Sequence, residues 1–261
     1  MSRDPKQSFA KRSLGQNFLV DHNYISKIVA AAELQPDDTV VEIGPGRGAI
    51  TEGLVDSGAR VIGVELDRYL APQLAERFAG RPNFAVIEAD ATNVDFAELL
   101  AGGKSKLVAN LPYYISTAIL QHLAAHRENF VSLVLMFQKE VVERICARPG
   151  DSERGFLTVL TETAFRVESL FDVPSRAFRP VPKVTSTVAR LTPKPRIIDN
   201  EEAFRRLVSA AFLQKRKTLL NNLKTFRPDA AQMIERSGID PRRRAESLTM
   251  EEWLELFRVF E

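Results

Sequence analysis

Val40-Val41-Glu42-Ile43-Gly44-Pro45-Gly46-Arg47-Gly48 is the stretch that decides the fold. A short run of mostly β-branched residues enters a turn with glycine at every second position, and a helical pattern over 48–57 follows. Glycine lets the backbone take positive φ and come close to a ligand. Strand, glycine turn and helix form the opening unit of a doubly wound α/β sheet, whose first turn lines the ligand crevice. A tight turn with no ligand is the bland reading of the same residues.

The rhythm continues on both sides. Upstream, 21–34 carries Ile25, Ile28, Val29 and Ala32 at helical spacing, with Asp21 as its cap. Downstream, 39–43, 60–65, 83–88, 107–109 and 131–137 read as strands, alternating with helices over 48–57, 67–79, 96–100, 115–126 and 139–147. The strands are continuous apolar runs, which indicates a parallel sheet covered on both faces. After Gly155 the pattern changes. Two further strands, 165–173 and 186–191, flank a loop whose prolines, Pro174, Pro180 and Pro182, stop either strand. A linker is expected at 192–196, and 201–261 reads as helical throughout. The expected domains are 1–196 and 197–261.

Two ligands fit the glycine turn. Gly44, Gly46 and Ala49 satisfy the dinucleotide fingerprint, and Glu65 ends the next strand, where an acid holds ribose hydroxyls. An adenosyl-sulfonium ligand uses the same acid, carries no pyrophosphate and needs more polar contacts. Asp90 ends the strand after that and could accept from an adenine amino group; a helix cap is its structural alternative. Glu42 adds negative charge beside the turn, which disfavours pyrophosphate and suits a sulfonium with an ammonium tail. Its alternative is a carboxylate that bonds backbone amides. These electrostatics favour S-adenosylmethionine over a nicotinamide cofactor.

Asn110-Leu111-Pro112-Tyr113 follows the fourth strand of the alternating series. An Asn oxygen and a backbone carbonyl beside proline can both accept from an exocyclic amine, and an aromatic ring can stack on its base. Adenine N6 is a poor nucleophile because its lone pair is delocalised; two acceptors would push it towards tetrahedral geometry. The alternative is a proline turn whose Asn caps the next helix.

The chain has 261 residues, 44% apolar and 27% charged, ordinary for a globular protein. Its net charge is only +2, yet 205–244 holds 11 Lys or Arg against 3 Asp or Glu. Such asymmetry suggests a module for a polyanion. The single cysteine, Cys146, excludes an internal disulfide and reads as a small buried side chain on a helix. No apolar run spans a membrane and no secretory signal opens the chain, so a cytoplasmic location is expected. His22, His122 and His126 match no metal or triad spacing, and no metal is expected.

Taken in order, Lys11-Arg12-Ser13-Leu14-Gly15-Gln16-Asn17-Phe18-Leu19, the glycine turn, Glu65, Asp90, Asn110-Leu111-Pro112-Tyr113, Phe178-Arg179-Pro180-Val181-Pro182-Lys183-Val184 and Gln214-Lys215-Arg216-Lys217-Thr218-Leu219-Leu220-Asn221-Asn222-Leu223 resemble the ribosomal RNA adenine dimethyltransferases of the small subunit. The related macrolide-resistance enzymes act on large-subunit RNA. The resemblance implies a Rossmann-like class I methyltransferase fold, a mostly parallel seven-stranded sheet with helices on both faces, plus a small C-terminal all-helical domain that binds RNA. It implies S-adenosylmethionine-dependent N6,N6-dimethylation of two adjacent adenines near the 3′ end of 16S RNA, in small-subunit biogenesis.

Asn17, Leu19, Gly44, Glu65, Asp90 and Asn110 would then contact the cofactor, with Asn17 and Leu19 on a segment that closes over it. Asn110 and the Leu111 carbonyl, beside Pro112, would accept from the target amine. Tyr113 would stack on the adenine and Phe178 would cover its other face. Tyr114 departs from the smaller polar residue often found there. Lys215, Arg216, Lys217, Asn221, Asn222 and Lys224, on or near one helix, would meet RNA, with Arg242, Arg243 and Arg244 as a second cluster. The expected partner is ribosomal RNA or the immature small subunit, met by a monomer without a membrane. A large-subunit methyltransferase and a mainly RNA-binding assembly factor are the competing functions.

Overall fold

A computed structural model describes residues 16–112 and 115–261. Lys11 to Gly15, Tyr113 and Tyr114 lie outside the described residues. β1 (Phe18–Leu19) precedes α1 (His22–Ala31), which Asp21 caps by accepting from the Asn23 amide at 3.0 Å. Then β2 (Thr39–Ile43), α2 (Ala49–Asp56), β3 (Arg60–Glu65), α3 (Leu70–Arg77), β4 (Phe84–Glu88), α4 (Phe96–Leu99), β5 (Ser105–Asn110), α5 (Ser116–Ala125) and β6 (Phe130–Gln138) alternate. After α6 (Lys139–Ile145) and α7 (Phe156–Ala164) come β7 (Phe165–Val173), β8 (Phe178–Arg179) and β9 (Ser186–Pro193).

Seven strands form one sheet in the order β4-β3-β2-β5-β6-β9-β7. The pairs β3/β4, β2/β3, β2/β5 and β5/β6 are parallel, while β9 runs antiparallel to β6. Chain order reverses beside β2, which is where a doubly wound sheet opens its crevice. Val40, Val108, Val134 and Val188 form a buried row on one face, packed with Ile28 and Leu54 of the covering helices. The side chains of Val41, Leu107 and Leu133 are also fully buried, so both faces of the sheet are covered.

The chain divides into two compact units. One takes the described residues through Val142 together with Val167–Pro193. The other takes Glu143–Arg166 with Lys194–Glu261. The boundary near Pro193 lies close to the expected linker. The segment Glu143–Arg166 was not expected in the second unit, and packing explains it: Val159 of α7 is part of that unit's core with Phe204, Leu207 and Trp253.

Within the second unit, 201–261 is four α-helices and a 3-10 turn at Ala245–Ser247, not one continuous run: α8 (Glu201–Ala211), α9 (Leu219–Leu223), α10 (Ala230–Arg236) and α11 (Met250–Phe260). Pro228 and Pro241 interrupt helical hydrogen bonding, and Gly238 adopts φ 73° just after α10. Trp253 is fully buried and stacks on Phe212, with ring centres 5.8 Å apart. Lys215, Arg216 and Lys217 therefore lie on the turn between α8 and α9, not on a helix.

Asn222 holds that turn together. Its Nδ2 donates to the carbonyls of Ala211 (2.7 Å) and Gln214 (3.1 Å), and its Oδ1 accepts from the Gln214 amide at 3.2 Å. At 3% exposure it cannot also read RNA, which corrects the expectation for this residue. Cys146 is corrected too: it follows the end of α6 and is exposed. Substitution Asn222→Ala should destabilise the helical unit by about 2–4 kcal/mol, because three bonded backbone groups lose their partner. Asn221→Ala, on the exposed side, should cost under about 0.5 kcal/mol in the same denaturant titration followed by circular dichroism.

Candidate active site

Parallel pairing brings together residues far apart in sequence. Ile43 pairs with Val64, Glu65 with Glu88, and Ile43 with Ala109, so the carboxyl ends of β2 to β5 share one edge of the sheet. Gly44, Glu65, Asp90 and Asn110 sit at or just beyond those ends. With Asn17 and Leu19 they line one cavity of about 620 Å³, large enough for a nucleoside-sized ligand. Leu111 and Pro112 line it as well.

The glycine turn is bound to the next strand end by Glu65. One carboxylate oxygen accepts from the Gly46 amide at 2.9 Å and the other from the Asp67 amide at 2.8 Å. Each oxygen keeps a further lone pair for a hydroxyl. Burial raises the Glu65 pKa, which the two amides partly offset. Gly44 has φ 67°, and its amide donates to the Val64 carbonyl at 2.9 Å; the Gly48 amide donates to Pro45. All three glycine amides thus have acceptors within the protein, so a pyrophosphate would find none of them to bind. The Glu65 oxygens suit a ribose, which both ligands that the turn left open carry, and the start of α2 has no side-chain cap.

Glu42 does not act as expected from the sequence. It is 2% exposed and accepts the Thr51 hydroxyl at 2.6 Å. Burial pushes its pKa from 4.5 up to about 8, with Thr51 opposing and Glu65 adding to the rise. At neutral pH it holds a proton for most of the time, so its charge is not what selects a cation. Asp90 is not a helix cap: its Oδ1 accepts from the Thr92 amide (2.9 Å) and hydroxyl (2.7 Å), while α4 is capped by Asp95.

Asn110 donates from Nδ2 to the Asn17 carbonyl at 3.2 Å. That bond fixes which end of the amide is oxygen, leaving Oδ1 as the acceptor end. Nor does Asn110 cap α5, whose start has no side-chain cap. The Leu111 amide donates to Met136 at 3.3 Å and Ile115 to the Pro112 carbonyl at 3.2 Å, so the motif is tied down on both sides. The Tyr113 ring lies outside the described residues. Phe178 is corrected: it is 1% exposed, sits in the sheet core and pairs with Leu19, so it presents no face to a base.

Sequence reading gave no role to several groups that shape the cavity. The Phe18 ring packs against the glycine turn, with the Arg47 guanidinium 4.5 Å from its centre. Gln16 Nε2 donates to Asp67 Oδ2 at 3.1 Å. The spacing of Glu65 and Asp67 was a usable signal; the contacts of Gln16 and Phe18 depend on tertiary approach. Among the described residues no cluster could hold a metal ion.

In the helical unit, Arg216, Lys217 and Lys224 are exposed, Lys215 donates to the Ser152 carbonyl, and Asn221 accepts from Lys224 at 3.0 Å. The second cluster is less basic than its letters suggest. Arg242 pairs with Asp240 at 3.1 Å, Arg243 with Glu252 at 2.5 Å, and Arg244 with Glu246 at 3.7 Å.

The family profile described as ribosomal RNA adenine dimethylase matches residues 7–261. The chain is 44% identical to ribosomal RNA small subunit methyltransferase A of Moorella thermoacetica, covering 96% of this chain and 92% of that one. It is 44% identical to the protein of the same name from Magnetococcus marinus, covering 94% and 90%. Among solved structures, a dimethyladenosine transferase from Plasmodium falciparum superposes with TM-score 0.77 at 28% identity, over 92% of this chain and 95% of that one. The 23S rRNA methyltransferase ErmE superposes with TM-score 0.70 at 29% identity, over 93% and 99%.

The buried acid has a measurable consequence. Between pH 4.5 and about 8 the folded state keeps a proton on Glu42 that the unfolded chain releases, so this residue's contribution to stability falls as pH rises through that window. Glu42→Gln does not titrate. The melting temperature of the parent relative to Glu42→Gln should therefore drop by several degrees, roughly, between the two ends of the window. A difference that stays constant with pH would contradict a protonated Glu42.

Proposed function

The chain belongs to the ribosomal RNA adenine dimethylase family, and from that premise we propose that it methylates adenine N6 in small-subunit ribosomal RNA with S-adenosylmethionine as donor. The observation that carries the proposal is the Asn110 side chain, oriented by the Asn17 carbonyl, on the wall of the cavity that Glu65, Asp90 and the glycine turn also line. Relatives at 41–44% identity are named as small-subunit enzymes, whereas the named large-subunit enzyme is 29% identical, and this favours the small subunit as substrate.

The bound cofactor supplies a methyl group that is already electrophilic on its sulfonium. The protein's own work is alignment and polarisation. Asn110 Oδ1 and the Leu111 carbonyl accept the two N6 hydrogens, which draws the nitrogen towards tetrahedral geometry and frees its lone pair. No protein base is needed for attack, since the proton leaves after the nitrogen has become cationic. Glu65 holds the ribose hydroxyls and Asp90 the adenine amine of the donor. A base within a duplex cannot enter such a cavity, so the target adenine is unpaired or flipped, and Tyr113 stacks on it. Two transfers onto one nitrogen give dimethyladenine, at the two adjacent positions near the 3′ end of 16S RNA.

Lys215, Arg216, Lys217 and Lys224 contact RNA phosphates, helped by the exposed Asn221. The enzyme works as a monomer in the cytoplasm on the immature small subunit. No helix among the described residues is long and apolar enough to cross a membrane.

Labelled cofactor with immature small-subunit particles should place label in dimethyladenine; no label in adenine at any assembly stage refutes the proposal. Asn110→Ala should lower transfer by about 100-fold or more at saturating donor, with RNA affinity retained. Replacing Lys215, Arg216 and Lys217 together by alanine should weaken RNA binding and flatten the plot of log affinity against log salt by about 2–3 in slope. An unchanged slope would remove these residues from the interface.

A further inference from the structure

The segment 16–20 crosses the cavity and is fastened at several points. Leu19 pairs with Phe178, and the Val20 amide donates to the Ala177 carbonyl at 2.9 Å. Phe18 packs on the glycine turn: a Cβ added to Gly46 would meet its ring at 3.2 Å. At the other end Gln16 Nε2 reaches Asp67 Oδ2 at 3.1 Å. Between these anchors lies the Asn17 carbonyl, the acceptor that orients Asn110.

Asp67 is 2% exposed and does not line the cavity. Its Oδ1 accepts from the Tyr69 amide at 3.0 Å, and its own amide donates to Glu65. Its side chain is therefore held by the backbone, with Oδ2 presented to Gln16. A buried carboxylate fixed in this way is a strong, directional acceptor.

We propose that Asp67 is a positioning residue for methyl transfer: it latches Gln16, so that the Asn17 carbonyl stays where it holds the Asn110 amide with Oδ1 towards the target amine. Asp67 thereby joins two parts of the site. Through Glu65 it supports the donor pocket, and through Gln16 it supports the group that polarises N6. Loss of the latch lets the segment 16–17 lift, and Asn110 then loses the bond that selects its rotamer. This inference rests on the proposed role of Asn110 as acceptor of the target amine.

The test uses the full-length chain with small-subunit particles and labelled donor. Gln16→Glu sets two carboxylates against each other and should lower kcat about tenfold or more at saturating donor and RNA, with the melting temperature unchanged. Adding Asp67→Asn to that variant supplies an amide donor facing the new carboxylate, while Oδ1 still accepts from Tyr69. The double variant should recover most of the lost kcat. Gln16→Ala, which removes the donor without adding charge, should give a smaller loss, about threefold to tenfold. Normal turnover in Gln16→Glu, or a loss that Asp67→Asn does not relieve, overturns the latch. The second outcome would mean that Gln16 acts only by touching the ligand, which Asp67 does not. Asn110→Ala assayed in parallel separates the two ideas: full transfer by that variant removes the role of Asn110 itself, whatever Gln16→Glu does.

Discussion

One carboxylate holds the site together. Glu65 receives the amide of Gly46 on one oxygen and that of Asp67 on the other, which fixes the loop after β2 against the loop after β3. Removing this acceptor leaves both amide donors without their protein partner. The glycine turn needs this support, since Gly44, Gly46 and Gly48 all have positive φ and contribute no side-chain packing. The same contacts give the Gly46 amide an acceptor within the protein and leave a lone pair on each Glu65 oxygen facing the cavity.

The sheet unit was largely legible in the sequence. Strands 39–43, 60–65 and 165–173 coincide with β2, β3 and β7 to the residue; the first two are runs rich in Val and Ile, which admit few other conformations. The ligand wall was legible for a related reason: in a parallel sheet, function gathers at carboxyl ends of strands, and Gly44, Glu65, Asp90 and Asn110 are at those ends. What the letters could not supply was burial. Glu42 reads as a charge, yet desolvation keeps a proton on it. Phe178 reads as a stacking ring, yet its short strand turns it into the core.

The helical unit was harder to read, again for physical reasons. Apolar periodicity announces that helices exist but says little about where they stop, and the breaks at 212–218 and 237–249 follow from turn chemistry and from Asn222. Counting charge over 205–244 also overstated its excess, because Glu246 and Glu252, which neutralise Arg244 and Arg243, lie just beyond the window. The exposed cations of the α8–α9 turn lack such carboxylate partners among the described residues, which makes that turn the stronger candidate for phosphate contact.

Trp253 is the only tryptophan of the chain, and it lies in the core of the helical unit against Phe212. Indole emission from this protein therefore comes from one compact unit alone, while the sheet unit contributes only tyrosine. Excitation at the red edge of the absorption band isolates the helical unit optically without any label. A probe of the helical unit is thus built into the sequence, ready to report whether RNA or donor is felt there.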